Sequence, residues 1–159
     1  MRTLRRYDVK HSYYFITICT WGREELLLSE PEMFWASWID FKPFAWIILP
    51  DHFHIMIENQ DVSISDIVHR FKIRYSRAFR DKYKSGRVWQ NRFWDHIIRN
   101  DDDFNRHLDY IHYNPVKHEY IDDPFKWKFS SLSEYYKEGY YTRDWGNNEA
   151  LEFKGEFGE

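Results

Sequence analysis

The sequence predicts an α+β fold: a ferredoxin-like βαββαβ antiparallel sheet with helices on one face, plus a short C-terminal helix. Three observations predict it. An aromatic and β-branched run at 13–21 reads as a strand, and two apolar runs, 44–49 and 52–58, meet across Pro50-Asp51 as a hairpin. Stretches with a helical repeat separate and follow these runs. Such an order of elements implies no function by itself.

Each element has its own signal. Gly22 ends the first strand, and Pro31 with Glu30 and Glu32 marks a helix start, after which Phe34, Trp38 and Phe41 recur at three to four residues. Ser63, three residues before Asp66, forms a variant capping box. Ile64, Ile67, Val68, Phe71, Tyr75 and Phe79 then keep a helical period to about Lys84, where Ser85-Gly86 stops it. Residues 88–99 read as a loop feeding a fourth strand. Asn100 to Asp103 supply a cap and early acids for a helix carrying Phe104, Leu108 and Ile111, which Pro115 should end at or before Asn114. Residues 127–136 read as a last short helix packed back on the core.

A chain of 159 residues with 43% hydrophobic content is expected to form one domain over residues 1–145, with a polar, flexible tail at 146–159. The single cysteine, Cys19, excludes an internal disulfide and any multi-cysteine zinc site, so a reducing cytoplasm is expected. Residues 2–21 have the outline of an export signal, but the run is aromatic and β-branched and lacks a small-residue cleavage site. No apolar run approaches bilayer-spanning length, so no membrane partner is expected. The net charge of −3 argues against indiscriminate duplex binding, yet the stretch 70–87 holds eight basic residues and one acid, Asp81. Aromatics reach 21%, more than one core requires, and unpaired bases stack on exposed rings.

Two segments carry chemistry. His52 and His54 are two apart on a strand, so their imidazoles share a face and can reach one ion while Phe53, Ile55 and Ile57 face the core. A histidine in a strand is more often simply hydrogen-bonded; the second segment, 108–117, makes the metal reading more specific. Tyr110 and Asn114 are four apart on a helix, so both leave the same face. If that helix lies near the hairpin, His52, His54 and the Asn114 amide oxygen form a three-ligand site suited to Mg²⁺ or Mn²⁺, with positions open for phosphate oxygens. Attack by Tyr110 on phosphorus would give a phosphotyrosine and a free 3′-hydroxyl, conserving the bond energy for rejoining.

At these residues the chain resembles the HUH endonucleases with one catalytic tyrosine, and most nearly the REP-associated tyrosine transposases, relatives of small insertion-sequence transposases. Leu49-Pro50-Asp51-His52-Phe53-His54 matches the family's Pro-acid/Asn-His-hydrophobe-His motif, and residues 109–118 match its tyrosine helix. Residues 88–99 and 127–135 also look like family segments, so the resemblance spans roughly residues 5–145. It implies a divalent metal held by His52 and His54, and Tyr110 as the nucleophile that cleaves single-stranded DNA and joins its 5′ end. The implied substrates are repetitive extragenic palindromes, hairpins with a short single-stranded foot, handled by a monomer or a homodimer. Related insertion-sequence enzymes use Gln where this chain has the shorter Asn114.

Alternatives stand beside these assignments. Tyr113 is a second candidate nucleophile, and Glu58 and His118 are further candidates for the third ligand. His107 and His112 read as surface or hydrogen-bonded residues. Arg5, Arg6, Lys10, Arg70, Arg74, Arg77, Arg92 and His96 are candidate DNA contacts, with ordinary surface charge as the competing reading. A catalytically silent hairpin-binding regulator and a metal phosphodiesterase with no covalent step are the competing functions.

Overall fold

A computed structural model describes residues 11–84, 86–147 and 150–159; Arg5, Arg6 and Lys10 lie outside the described residues. Four strands, β1 (Tyr13–Cys19), β2 (Ala45–Ile48), β3 (His52–Glu58) and β4 (Trp94–Ile97), form one sheet of order β2-β3-β1-β4, every pair antiparallel. The helices are α1 (Pro31–Ser37), α2 (Ile64–Tyr83), α3 (Asp101–Lys117) and α4 (Leu132–Lys137). The expected order is present, and the predicted Ser63 cap forms, its hydroxyl accepting from Asp66 N at 3.1 Å. Among the described residues no helix is long and apolar enough to cross a membrane.

The expectation of helices on one face needs correction. Tyr14, Ile16, Ile18, Phe53, Ile55 and Ile57 project to one side, where α1 and α2 cover them through Phe34, Ile67, Val68 and Phe71. Phe15, Ala45, Ile47 and Met56 project to the other, where α3 contributes Leu108, Tyr110 and Ile111. The reason is legible in the nearly unbroken apolar run of β1 and in Ile55-Met56-Ile57 of β3, which do not alternate, the mark of strands buried on both faces. This second layer matters because it is the face that His52 and His54 share.

A second correction concerns Pro115, which lies inside α3 rather than ending it. A proline in the last turn removes one N–H and displaces few hydrogen bonds, and the chain beyond is held by His118 N donating to Asn114 O and Tyr120 N donating to Pro115 O, both at 3.0 Å. The extra turn brings Lys117 and His118 to the Tyr110 side of the helix.

Residues 150–159 also differ from the expected free tail. Phe157 is 7% exposed, its ring lies parallel to Tyr110 at a centroid distance of 3.7 Å, and its carbonyl accepts from Thr17 Oγ1 at 2.5 Å. Gly158 has φ +78°, and a Cβ there would stand 2.1 Å from Trp94 Cβ, so only glycine passes this point. Average composition hides Phe153 and Phe157, two aromatic anchors set singly among charges and glycines.

Candidate active site

Antiparallel pairing sets Cys19 opposite His52 and Thr17 opposite His54. Both imidazoles are buried, at 1% and 0% exposure, beneath α3. Their tautomers follow from their partners. Thr17 gives its only hydroxyl proton to the Phe157 carbonyl, so the 2.7 Å contact with His54 Nδ1 requires that nitrogen to donate. His52 Nδ1 lies 2.7 Å from Asp51 Oδ1, a carboxylate that accepts, and Arg23 Nε in turn holds Asp51 Oδ2 at 2.8 Å. With its Nδ1 engaged in this way, each ring turns its Nε2 inward, the arrangement by which hydrogen-bonded partners orient metal-binding histidines. Burial pushes His54 down to about 4, so it is neutral near pH 7. Burial opposes charging His52 as well, but Asp51 and Glu159 outweigh it and raise its pKa.

Helix α3 brings the phenol to the same point. Tyr110 is 1% exposed, its ring centroid is 5.3 Å from that of His54, and its hydroxyl donates to Glu159 Oε1. Lys117 Nζ, seven residues further along the helix, lies 3.3 Å from the phenol oxygen. Burial and the Glu159 carboxylate push the phenol well above the ordinary tyrosine value, which favours the neutral form. Asn114 Nδ2 donates to Glu159 Oε1 at 2.8 Å.

Glu159 is the hub of the cluster. Its Oε1 is 2.8 Å from His54 Nε2 and 3.7 Å from His52 Nε2, and its Oε2 is 2.7 Å from Lys117 Nζ and 2.8 Å from His118 Nε2. Burial would raise this carboxyl, but His118 first, and then His52, hold it far below the usual carboxylate range.

The donor set fits a divalent cation. His52 Nε2 and Asn114 Oδ1 are both buried without a hydrogen-bond partner, and His54 Nε2 offers a lone pair to a carboxylate that is itself an acceptor. One ligand atom each from His52, His54 and Glu159 fall within 4.8 Å of one another. Two imidazole nitrogens with amide or carboxylate oxygens form the mixed set that such ions accept.

The predicted residues separate into those at this centre and those away from it. His52, His54, Tyr110, Asn114 and His118 converge on Glu159. Tyr113 does not, since its ring packs on Trp145 and Phe153 and its hydroxyl accepts from Leu151 N at 3.3 Å. Glu58 lies at the far end of β3, paired with Tyr13. Arg74 bonds the Ser37 carbonyl at 2.8 Å and Asp40 at 2.5 Å, and Arg70 is 3.6 Å from Asp40. Arg70, Arg74 and Arg77 all lie on α2, across the sheet from the two histidines. His96 bonds Asp103 Oδ2 at 2.7 Å and stacks on His107 at 4.5 Å; Asp103 also binds Arg99 and Arg106, so this cluster reads as an ion-paired helix start. Burial pushes His107 to about 4 and His112 to about 3; His107 bonds the Asp103 carbonyl, and His112 bonds Tyr141 and Ser131. Arg92 is exposed beside Trp21 and Arg87.

Sequence reasoning missed Glu159, Thr17 and the role of Lys117. Lys117 had a signal, lying two helical turns beyond Tyr110 on the same face. Glu159 had none, because no periodicity links it to the rest of the site.

The profile of the family described as "Transposase IS200 like" matches residues 10–114. The REP-associated tyrosine transposase of Escherichia coli strain K12 is 33% identical over 157 residues, spanning 93% of this chain and 93% of that protein. A Haemophilus influenzae relative, bearing the same name in provisional form, is 35% identical over 176 residues, spanning 98% and 99%. A solved structure of a REP-associated tyrosine transposase bound to a REP hairpin matches with a TM-score of 0.85 at 31% identity, covering 100% of this chain and 98% of that one. With the profile over most of its length and relatives aligned nearly end to end, this chain belongs to the IS200-like transposases and, among them, to the REP-associated tyrosine transposases.

Proposed function

We propose that the protein is a metal-dependent endonuclease and strand transferase that acts on single-stranded DNA at palindromic, REP-like hairpins through a 5′-phosphotyrosine intermediate. The observation that carries this reading is the meeting of a buried phenol with two inward-facing imidazole Nε2 atoms around one carboxylate oxygen. The hairpin in the related structure supports the substrate class.

His52, His54 and Asn114 would hold Mg²⁺ or Mn²⁺, which when bound would polarise the scissile phosphodiester and offset its charge. Asp51 and Thr17 keep the imidazoles in the required tautomers. Tyr110 supplies the attacking oxygen: the new bond joins it to phosphorus, the bond to the 3′ oxygen breaks, and the phenol's proton is matched by the one taken up at the leaving 3′-hydroxyl. Lys117, beside the phenol oxygen, stabilises negative charge as it develops there. Glu159 stands where a scissile phosphate would approach Tyr110, so substrate entry requires its carboxylate to leave or to turn aside.

The test uses 3′-labelled and 5′-labelled hairpins built on palindromes flanking the coding sequence, incubated with Mn²⁺ and analysed under denaturing conditions. The expected product is a protein–DNA adduct on the 5′ end of the downstream fragment together with a free 3′-hydroxyl. Free cleaved strands without an adduct would establish a phosphodiesterase with no covalent step, and intact bound hairpin a silent binder.

A further inference from the structure

Beside the catalytic centre, the 3₁₀ turn Trp21–Arg23 and residues 87–92 enclose an open concavity of about 590 Å³, lined by Trp21, Gly22, Arg87, Gln90, Asn91 and Arg92. Its volume falls in the roughly 300–1,000 Å³ range of ligand clefts. Trp21 is 46% exposed and contributes nothing to either core, yet Arg87 places its guanidinium 3.8 Å from the centre of the indole. Tryptophan is the strongest cation–π partner, so the pair is a preformed stack, half in solvent.

The backbone around the stack is tied down. Trp21 N donates to Val88 O at 2.8 Å, Gln90 N donates to Cys19 O at 3.1 Å, and Lys72 Nζ donates to the Gln90 and Arg92 carbonyls at 2.8 and 3.1 Å. Arg87 Nε donates to the Trp89 carbonyl at 3.2 Å, and its Nη2 donates to Asn91 Oδ1, a contact that uses the acceptor half of the Asn91 amide and not its donor half. The concavity also adjoins the metal-binding end of the sheet. Trp21 stands two residues, about 7 Å of chain, beyond Cys19, the partner of His52, and Arg23 of the same turn bonds Asp51.

A flat aromatic surface, a guanidinium, two amide side chains and a further arginine form the combination that receives an unpaired nucleobase: the ring stacks, the amides meet the base edge, and the cations meet phosphate. We propose that this concavity is a base-binding subsite for the single-stranded segment beside the cleaved bond. In it Trp21 and Arg87 stack one unpaired base, Gln90 and Asn91 contact its edge, and Arg92 contacts the adjoining phosphate. The proposal rests on the DNA-processing reading and deepens it by naming residues that select the foot of the hairpin.

The experiment measures equilibrium binding by fluorescence anisotropy, without Mn²⁺, for a hairpin with its single-stranded foot, the same hairpin with each foot position made abasic in turn, and the stem alone. The full chain is used as wild type, Trp21→Ala, Trp21→Phe and Gln90→Ala. One abasic position is expected to weaken wild-type binding about five- to a hundredfold, the range for loss of one base stack. Trp21→Ala should show a similar loss with the intact foot and none beyond it at that position, and Trp21→Phe should restore most of the affinity. Wild-type affinity in Trp21→Ala, losses that add at every abasic position, or an equal loss on the stem alone would overturn the subsite while leaving the DNA reading standing. Wild-type protein that binds none of the hairpins would remove both.

Discussion

Neutralising the hub of the site separates two roles that Glu159 can play. In Glu159→Gln the side chain keeps its length and one oxygen but loses its charge, so the contacts to Lys117 Nζ at 2.7 Å, His118 Nε2 at 2.8 Å and Asn114 Nδ2 at 2.8 Å become neutral or lapse. Hydrogen bonds to charged groups contribute roughly 1.5–3 kcal/mol each, and the neutral kind about half that. Lys117 and His118 are 39% and 27% exposed and partly screened, so the net weakening of the closed arrangement is about 1–2 kcal/mol. If Glu159 blocks entry, that weakening raises the population open to DNA, and with it the initial rate of adduct formation, by up to about five- to thirtyfold. The assay is the rate of denaturation-resistant adduct under single-turnover conditions with Mn²⁺, beside a thermal melt. The melt should move the other way, down by roughly 2–8 °C for a domain of this size. A faster and less stable variant is the signature of closure. An unchanged or slower adduct would refute it and assign Glu159 to receiving the Tyr110 proton or to holding the ion.

Three further outcomes follow from the same geometry. Tyr110→Phe removes one oxygen while keeping the ring that stacks on Phe157 at 3.7 Å, so adduct formation should vanish with hairpin affinity within about threefold of wild type; residual adduct would remove Tyr110 as nucleophile. His52→Ala should abolish the response of cleavage to Mn²⁺ while circular dichroism stays that of the wild type, and an unchanged Mn²⁺ titration would contradict the metal assignment. Asp103→Asn addresses stability alone. Burial would raise this carboxyl, but His96, Arg99 and Arg106 hold it well below its ordinary value. Because the folded pKa is depressed, its contribution is present above the unfolded value near 3.9 and is lost as pH falls below it. Loss of these charged hydrogen bonds should cost about 1.5–3 kcal/mol at pH 7. The gap between variant and wild type in chemical denaturation should narrow steadily below pH 4, and a gap constant with pH would show that the ion pairs do not stabilise the fold.

Much of this protein follows from its sequence alone, where the signal is local. The two-residue period puts His52 and His54 on one face of a strand, and the 3.6-residue period puts Tyr110 and Asn114 on one face of a helix. The Ser63 cap and the hairpin at Pro50-Asp51 are read in the same way, because each depends on neighbours a few residues apart. Tertiary structure decided what depends on distant segments meeting. Pairing of Thr17 with His54 and Cys19 with His52 placed the partner that sets one tautomer and the turn that carries Trp21 and Arg23. The second helical layer, formed by α3 on the face opposite α1 and α2, decided which polar faces surround His52, His54 and Tyr110 and left the basic face of α2 on the other side. Glu159 reaches His54 across 105 positions, guided by Phe157 stacked on Tyr110 and by a glycine that slips past Trp94. No periodicity encodes such a meeting; it comes from burying two isolated aromatic rings against a surface that exists only after the sheet and α3 have assembled.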